Sequence, residues 1–346
     1  MNQQVLHIHF QKRALGFQVT GQPLALEGGL LNHVWRVPTN QGSVIVKHAP
    51  PYIATQPEIA LPCERAHFEA KALETLAKAS WNHGVHIPRL FDYDAEANIL
   101  VMQDAGPLPS LRQILADPTL SQEHAAQIGQ DLGTFIGNLH KYSLNDKEYA
   151  RRFHNVDIQR VRSQVQYHLS PAQLHPWTPR ARHVSTQIQQ LGNALLYPGH
   201  CMIMGDLWPQ SILVAPSDIW IIDWELTHFG FQVQDVAHLL AHLWMLWDVA
   251  VHPKQRVNTI SLAHHFRSAY EAICTQPLEQ LSVAQRIPHA AAIHIGAEVL
   301  QRTVGSFVKG YVYESASDTT RKQVVQKMVP LIETGRFEFL GAFWEK

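Results

Sequence analysis

Two short apolar runs joined by a polar turn constrain the fold of this chain more than any other stretch. The runs at residues 212–214 and 220–222 flank an Ala-Pro-Ser-Asp tetrapeptide, and this pattern predicts a β-hairpin. Asp206 precedes the first predicted strand, whereas Asp223 and Glu225 follow the second. One hairpin would therefore bring three carboxylates to a single cleft.

The spacing of these acids narrows the chemistry that they favour. Acidic residues at strand ends are common, but here Ser211 also lies five positions after Asp206. Phosphoryl transfer in kinases uses an Asp that deprotonates the acceptor hydroxyl, a polar Mg²⁺ ligand a few residues later, and a second Asp beyond the next strand. We therefore predict Asp206 as the catalytic base, with Ser211, Asp223 and Glu225 as metal ligands.

The residues Met204-Gly205-Asp206 and Ile222-Asp223-Trp224-Glu225 carry a family resemblance. They resemble the His-Gly-Asp and Ile-Asp-x-Glu elements of the aminoglycoside phosphotransferase and choline kinase superfamily. Within it, the 5-methylthioribose kinases look most similar because they too are known for Ser where most members carry Asn. Met204 replaces the usual supporting His, which bears on the geometry of the loop more than on the chemistry.

The resemblance implies an α+β fold of the bilobal protein-kinase-like type. A small N-terminal lobe with an antiparallel sheet is expected over residues 1–103, and a larger, mainly helical lobe with the catalytic hairpin and the acceptor pocket over residues 104–346. ATP would lie between the lobes together with Mg²⁺. The expected reaction is transfer of the γ-phosphate to a hydroxyl of a small polar acceptor.

The first half of the chain supplies candidates for binding the nucleotide. Predicted strands at residues 24–27, 32–37 and 43–47 surround a Gly-Gly pair, whose exposed backbone N–H groups can cover phosphates. A lysine closes the third strand, where a kinase lysine reaches the phosphates, and a helical pattern beyond it carries a glutamate that could hold this lysine. The candidate residues are Gly28, Gly29, Asn32, Lys47 and Glu69.

Further resemblance to the 5-methylthioribose kinases lies between that lysine and the helix. The run His48-Ala49-Pro50-Pro51-Tyr52 is closely similar to theirs, and a long loop to Pro62 is expected to follow it. After a predicted strand at residues 98–102, the resemblance places the hinge that binds adenine at Gln103, Asp104 and Ala105.

The second half is predominantly helical in pattern. Apolar spacing predicts an amphipathic helix over residues 128–139, and residues 147–197 are interpreted as a helical insertion near the acceptor. Asp235 is first interpreted as an N-cap, and the resemblance offers a second role, bracing the catalytic loop. His238 and His242 lie four apart, a spacing that suits either a metal site or ordinary hydrogen-bonded histidines.

One candidate substrate contact lies near the end of the chain. The segment around Arg302 resembles a 5-methylthioribose kinase segment in which two successive arginines approach the substrate and the transferred phosphate. Only the second is present here, because Gln301 occupies the first position. Arg302 is the candidate, and a helix-surface arginine is the alternative.

Composition excludes several classes of protein. Hydrophobic residues make up 46% of the chain and charged residues 16%, which indicates a compact globular protein rather than a disordered one. A net charge of −1 provides no basic surface for nucleic acid. Three widely spaced cysteines suggest neither a disulfide framework nor a zinc site and fit a reducing cytoplasm.

The sequence also predicts where the protein is located and what it binds. The first ten residues alternate polar and apolar side chains, which predicts a strand rather than a signal peptide. No apolar run approaches the roughly 18 residues of a membrane span. We expect a cytoplasmic protein whose partner is a small-molecule hydroxyl acceptor, and a homodimer is compatible with the sequence.

Three functions stay open at this point. The first is a metabolic kinase for 5-methylthioribose or a related sugar. The second is an antibiotic-modifying phosphotransferase, which requires an anionic pocket for polycationic drugs. The third is a non-catalytic nucleotide-binding module, suggested by Met204 and the incomplete arginine pair, although the intact Asp206 and Asp223 favour catalysis.

Overall fold

The protein folds into a small sheet-containing lobe followed by a larger helical lobe. The computed structural model describes residues 3–26, 29, 31–81, 84–283 and 287–345. Strands are concentrated before residue 104, and long helices after it. The predicted α+β bilobal fold is therefore confirmed, and we propose the boundary between the lobes at residues 103/104.

The N-terminal lobe is built on a five-stranded antiparallel sheet in the order β1-β2-β3-β8-β7. Its alternating side chains bury Val37, Val44, Val46 and Val101 on one face. The strands of this half of the chain are β1 (Leu24–Ala25), β2 (His33–Thr39), β3 (Gly42–His48), β4 (Tyr52–Ile53), β5 (Gln56–Ala60), β6 (Val85–His86), β7 (Leu90–Asp94) and β8 (Ile99–Gln103).

The strand predicted for the first ten residues is wrong. Residues Gln3–Lys12 form helix α1, which packs Leu6 and Phe10 against the sheet. These two residues are four apart, so they face the same side of a helix as well as the same side of a strand. The apolar sheet face available to them decides between the two periodicities.

The long loop predicted to run to Pro62 is also wrong in part, because β4 and β5 pair there as an antiparallel hairpin. Beyond the hairpin, helix α2 (Arg65–Leu76) forms where the sequence predicted it and buries Ala66, Ala70 and Leu73. This helix lies behind the sheet and brings its glutamate toward the cleft between the lobes.

The C-terminal lobe is organised by long helices, with two pairs of short strands at the cleft. Helices α4 and α9 cross so closely that a Cβ at Gly133 would overlap the carbonyl oxygen of Phe266. The helices are α3 (Leu111–Ala116), α4 (Gln122–Tyr142), α5 (Lys147–Arg152), α6 (Val156–Arg162), α7 (Ala181–Ala194), α8 (Val233–Val249), α9 (Pro253–Cys274), α10 (Ala290–Thr303) and α11 (Asp318–Thr334).

The predicted hairpin is present and lies at the cleft. Strand β9 (Cys201–Ile203) pairs with β12 (His228–Gly230), and between them β10 (Ile212–Val214) pairs antiparallel with β11 (Ile219–Ile221). The second strand begins one residue earlier than predicted. Because β11 also pairs in parallel with β6, the hairpin is hydrogen-bonded to a segment that precedes the proposed boundary.

The segment predicted as a helical insertion contains α5, α6 and α7, and a π-helix over Ser163–Leu169 continues directly from α6. Wide helical turns of this kind occur often at functional sites. A 3₁₀ turn at Pro171–Leu174 follows it. Among the described helices, none combines the length and the apolar character needed to cross a bilayer.

Candidate active site

The loop that carries Asp206 is held by its backbone. The amides of Met204 and Gly205 each donate to Asp235, at 2.8 Å, and His140 lies 3.2 Å from the same carboxylate. Helix α8 begins after Gln232, so the N-cap interpretation of Asp235 is wrong and the carboxylate braces the loop instead.

The two residues before the base are tightly packed. Met204 is fully buried in the core. Gly205 has φ +90°, and a Cβ there would overlap the carbonyl oxygen of Leu226, so only glycine fits this turn. The loop is therefore shaped by backbone hydrogen bonds and packing, without the side chain of the histidine that Met204 replaces.

Asp206 faces the cleft with a histidine beside it. Its Oδ1 lies 3.4 Å from Nε2 of His238, a buried residue of α8. Burial alone would raise the pKa of Asp206, but His238 and the more distant charges of Arg162 and Arg302 outweigh burial and lower this pKa. The carboxylate is therefore ionised near neutral pH and able to accept a proton.

Four charged residues from both lobes form what we call the nucleotide wall: Lys47, Glu69, Asp223 and Glu225. The Lys47 ammonium lies 2.9 Å from Glu69 Oε2, 2.9 Å from Asp223 Oδ1 and 3.6 Å from Glu225 Oε1. Burial would lower the pKa of Lys47, but the three carboxylates outweigh burial and raise it. The lysine therefore stays charged and joins β3 and α2 to the catalytic hairpin.

Glu225 is held from the opposite side by Asn32 and Arg65. Asn32 donates to its Oε2 at 2.6 Å, and the Arg65 Nε lies 3.2 Å from the same oxygen. Arg65 is fully buried and also donates to three backbone carbonyls of the N-terminal lobe. Together with Lys47, these contacts make Glu225 a second bridge between the lobes.

The nucleotide wall suits a divalent cation. Three carboxylates surround Lys47, and Arg65 contacts one of them. Burial raises the pKa of Glu69 to about 7, so Asp223 and Glu225 are the carboxylates more available to a cation. Asp223 is the most open of the three, with 44% of its side chain exposed. Hard carboxylate oxygens are the ligands that Mg²⁺ prefers, so Asp223 and Glu225 fit this ion.

The geometry of Asp223 and Ser211 differs. Asp223 adopts a left-handed backbone conformation, φ 64°, two residues after β11 ends, and such strain is common where a side chain must be aimed at a ligand. Ser211 is fully buried, and its hydroxyl bonds to the carbonyl oxygens of Asp206 at 3.2 Å and Trp208 at 2.9 Å. In this conformation Ser211 braces the loop and does not line the cleft.

Residues predicted to cover the phosphates line the cleft where the structure describes them, whereas the residues predicted as the hinge do not. Gly29 and Asn32 line the cleft, whereas Gly28 lies outside the described residues. Gln103, Asp104 and Ala105 are absent from the described lining of that cleft. The backbone amide of Gln103 donates to the carbonyl oxygen of Arg89 at 2.8 Å, and Asp104 forms an ion pair with Arg36 at 2.6 Å. Both residues therefore hold the end of the sheet together.

The cleft continues past Asp206 into a chamber formed by the helical lobe. We call the polar side of this chamber the acceptor wall: Arg162, Gln166, His238, Glu298 and Arg302. Its apolar side is formed by Ile158, Val161, Val165, Trp208 and Phe307.

Arg302 reaches this chamber as a partly neutralised cation. Its Nε donates to Glu298 at 2.9 Å, and its guanidinium lies over the rings of Trp208 at 5.3 Å and Phe307 at 5.5 Å. The helix-surface alternative does not describe it, since only 12% of its side chain is exposed. Gln301 also lines the cleft.

Arg162 is the cleft residue that sequence reasoning missed. It ends α6, donates to Gln166 at 3.3 Å, and has no ion pair within the part of the chain that the structure describes. Its Nη1 is buried without a hydrogen-bond partner there. The apolar residues Ile158, Val161 and Val165, spaced three and four apart, were the available signal for the helix face that carries it.

The two histidines of α8 lie with Glu298 in a buried cluster. Ligand-type atoms of His238, His242 and Glu298 all lie within 4.8 Å of one another, a grouping that could hold a metal ion. However, Glu298 already accepts hydrogen bonds from Arg302 and, at 2.7 Å, from Gln166. The Nδ1 atom of His242 bonds to the hydroxyl of Tyr311. The guanidinium of Arg302 thus supplies the positive charge that a metal ion would bring.

The cleft between the lobes contains a buried lysine among three carboxylates, and the carboxylate of Asp206 lies apart from them. This arrangement is the one expected of a phosphotransferase. Residues 24–272 match the phosphotransferase enzyme family (APH), so the chain belongs to this family. The predicted superfamily and enzyme class, a kinase with an alcohol group as acceptor, are confirmed.

Individual relatives carry more specific names. The chain is 26% identical over 324 residues to a 4-hydroxytryptamine kinase of Psilocybe cyanescens, covering 88% of this chain and 84% of the relative. It is 23% identical over 348 residues to a methylthioribose kinase of Exiguobacterium sibiricum, covering 89% and 86%. A crystal structure described as an aminoglycoside phosphotransferase from Ralstonia eutropha shares the fold, with a TM-score of 0.53, 15% identity and 97% coverage of both chains.

Proposed function

We propose that the protein is an ATP-dependent kinase that transfers the γ-phosphoryl group to a hydroxyl of a small acceptor bound against the acceptor wall. The observation that carries the proposal is the contact between Lys47 and Asp223 at 2.9 Å, with Asp206 lining the same cleft. These three residues come from β3 and from both ends of the catalytic hairpin. Their convergence supports the roles predicted for them.

The reaction needs only positioning and one proton transfer from this chain. Lys47 would hold the nucleotide phosphates, and Glu69 would hold Lys47. Mg²⁺ would be bound by Asp223 and Glu225 and would neutralise phosphate charge. The acceptor oxygen forms a bond to the γ-phosphorus, the bond from that phosphorus to the oxygen of ADP breaks, and the hydroxyl proton passes to Asp206.

The acceptor wall favours some acceptors over others. Arg162 and Arg302 face the chamber, and Glu298 is already neutralised, so a polycationic aminoglycoside is disfavoured. The apolar side formed by Val161, Val165 and Phe307 suits an acceptor that has an apolar face beside its hydroxyl. Methylthioribose, a sugar with a methylthio group, has this character and is the first acceptor to test.

An aromatic hydroxyl compound is the second candidate. Trp208 and Phe307 provide two aromatic surfaces in the chamber, and flat rings pack well against such surfaces. The name 4-hydroxytryptamine kinase describes relatives with an acceptor of this kind. A charged amine on the acceptor would oppose Arg162, so neutral and cationic phenols should be compared.

The test is acceptor-dependent formation of ADP from ATP with Mg²⁺. The acceptors are 5-methylthioribose, other pentoses, 4-hydroxytryptamine, simple phenols, choline-like alcohols and an aminoglycoside, and Asp206→Ala is the control. We expect turnover with an acceptor that has an apolar face and none in the control. Nucleotide binding without turnover of any acceptor would instead support the non-catalytic module.

A further inference from the structure

Behind Asp206 lies a row of three buried side chains that the proposed reaction does not use. His238 of helix α8 and His294 of helix α10 meet edge to face, and Tyr167 of the π-helix follows. The His294 Nε2 lies 3.4 Å from His238 Nδ1, and the Tyr167 hydroxyl lies 2.7 Å from His294 Nδ1. The row therefore runs from the cleft into the centre of the helical lobe.

The direction of hydrogen bonding along this row follows from its two ends. Burial raises the pKa of Tyr167, so its hydroxyl keeps its proton, and burial lowers the pKa of His294 well below the usual range, so this ring is neutral. If Tyr167 donates to His294 Nδ1, then His294 donates through Nε2 to His238 Nδ1. The proton of a neutral His238 must then lie on Nε2, facing Asp206.

The opposite direction would place two lone pairs against each other. A neutral His238 that donated through Nδ1 would present an unprotonated Nε2 to the Asp206 carboxylate at 3.4 Å. Two acceptors at that distance repel each other in a buried site. If His238 were doubly protonated, with Glu298 3.9 Å from its Nδ1, Nε2 would still carry a proton. The ionised base therefore selects an Nε2–H group in either case.

We propose that His238 is a positioning residue for the catalytic base: its Nε2–H holds Asp206 Oδ1, and His294 and Tyr167 hold the ring of His238 in that tautomer. The second carboxylate oxygen of Asp206 is then left for the acceptor hydroxyl. The inference rests on the proposed role of Asp206 as the base. Catalytic hydrogen bonds are often long without substrate and shorten in the reacting complex.

The other charged groups around His238 are already occupied. Glu298 is paired with Arg302, His242 is bonded to Tyr311, and Arg162 donates to Gln166. Within the described part of the chain, the His238 Nε2 is buried without a hydrogen-bond partner, and the nearby carboxylate oxygen is Asp206 Oδ1 at 3.4 Å. Holding the base is thus the role that remains for this nitrogen.

The first test reads the tautomer directly and needs no activity. Nitrogen NMR of the ¹⁵N-labelled histidine rings, assigned with His238→Gln, should show His238 with a proton on Nε2, and that resonance should shift in Asp206→Asn. An unprotonated Nε2 in the wild-type protein would overturn the proposal, whatever the reaction proves to be. Failure of the acceptor screen would instead count against the proposed function.

The second test is kinetic, with the acceptor identified by the screen. Gln retains an N–H donor and Leu does not, so His238→Leu should lower kcat by about 100-fold while His238→Gln stays within about 5-fold of wild type. The KM for ATP should change less than about 2-fold in both, because the nucleotide wall is untouched.

Controls separate positioning from folding. His265→Leu changes a histidine of α9 that bonds to Ser261 O of its own helix and does not line the described part of the cleft, and it should leave kcat unchanged. Tyr167→Phe removes one hydroxyl with the ring kept, and a loss of about 3-fold to 10-fold in kcat is expected. Equal losses in His238→Leu and His238→Gln, with melting temperatures lowered alike, would show that His238 serves only packing.

Discussion

The two sides of the cleft solve different electrostatic problems. On the nucleotide wall, Lys47 is 4% exposed and is surrounded by three carboxylates, of which Asp223 is the most open. On the acceptor wall, Glu298 is saturated with hydrogen bonds, and Arg162 has no anionic partner among the described residues. We propose that the first side binds a metal ion together with the nucleotide phosphates, and the second a small molecule without positive charge.

This difference indicates which side of the cleft determines the acceptor specificity. The nucleotide wall is made of tight ion pairs that join both lobes, so changes there should affect folding and nucleotide binding together. The acceptor wall draws on α6, α8, α10 and the π-helix, none of which contributes to the nucleotide wall. Substitutions on that side should change the acceptor preference with ATP binding kept.

The largest expected effect lies between the two walls. Asp206→Asn keeps the shape of the base but removes its ability to accept a proton, so kcat should fall by about 10²-fold to 10⁴-fold. The affinity for ATP, measured by calorimetry, should stay within a few-fold of wild type. A kcat near that of wild type would show that another group is the base.

Lys47→Met should be the most damaging change on the nucleotide wall. It leaves Glu69 and its neighbouring carboxylates buried without their cation, which should lower the free energy of unfolding by about 3–5 kcal/mol and abolish ATP binding. Denaturant unfolding provides the measurement. Adding Glu69→Gln to this variant should restore part of the stability, and a further loss instead would contradict the assumed pairing.

Arg162→Gln sharpens the comparison from the other side. Loss of an unpaired guanidinium facing the chamber should raise the KM of a neutral or anionic acceptor about 10-fold. The KM for ATP should not change. Arg151→Gln, an exposed arginine on α5, is the matched control. An equal change in both KM values would place Arg162 with the nucleotide instead.

The smallest effect is expected at Asp104, which was predicted as part of the hinge and lies outside both walls. Burial would raise the pKa of Asp104, but hydrogen bonds from Arg36, Ser43 and the Gly106 amide outweigh burial and lower it. A carboxylate with a lowered pKa stabilises the fold above its unfolded pKa of about 3.9, and the stabilisation is lost as the pH falls through the folded pKa. Asp104→Asn should therefore lower the free energy of unfolding by about 1 kcal/mol at pH 7.

The same comparison at low pH provides the check. Urea unfolding of both proteins should show a constant difference from neutral pH to about pH 5 and a shrinking difference below about pH 4. A difference that grows on acidification would mean that the carboxylate form of Asp104 does not stabilise the fold.

The local sequence pattern predicted a helix or strand correctly where the apolar face that it implied also packs in the folded structure. The hairpin and the strand that contains Lys47 formed within a residue or two of their predicted bounds, and α2 formed where a helical pattern follows that strand, because each apolar face has one partner to pack against. The N-terminal strand failed because Leu6 and Phe10 suit two periodicities. The roles of Met204 and Asp235 were ambiguous in the sequence, since backbone hydrogen bonds between distant segments have no local signature.

The amino-acid sequence by itself predicted the enzyme class that the family match confirms, because Lys47, Glu69, Asp206 and Asp223 stand in the order typical of phosphoryl transfer. Tertiary structure alone decided the acceptor wall. Arg162, His238 and Glu298 are separated by about as many residues as a small domain contains, and they meet only because α6, α8 and α10 pack around one chamber. These polar groups are largely shielded from water. What each of them can bind therefore depends on the groups that it contacts rather than on its position in the chain.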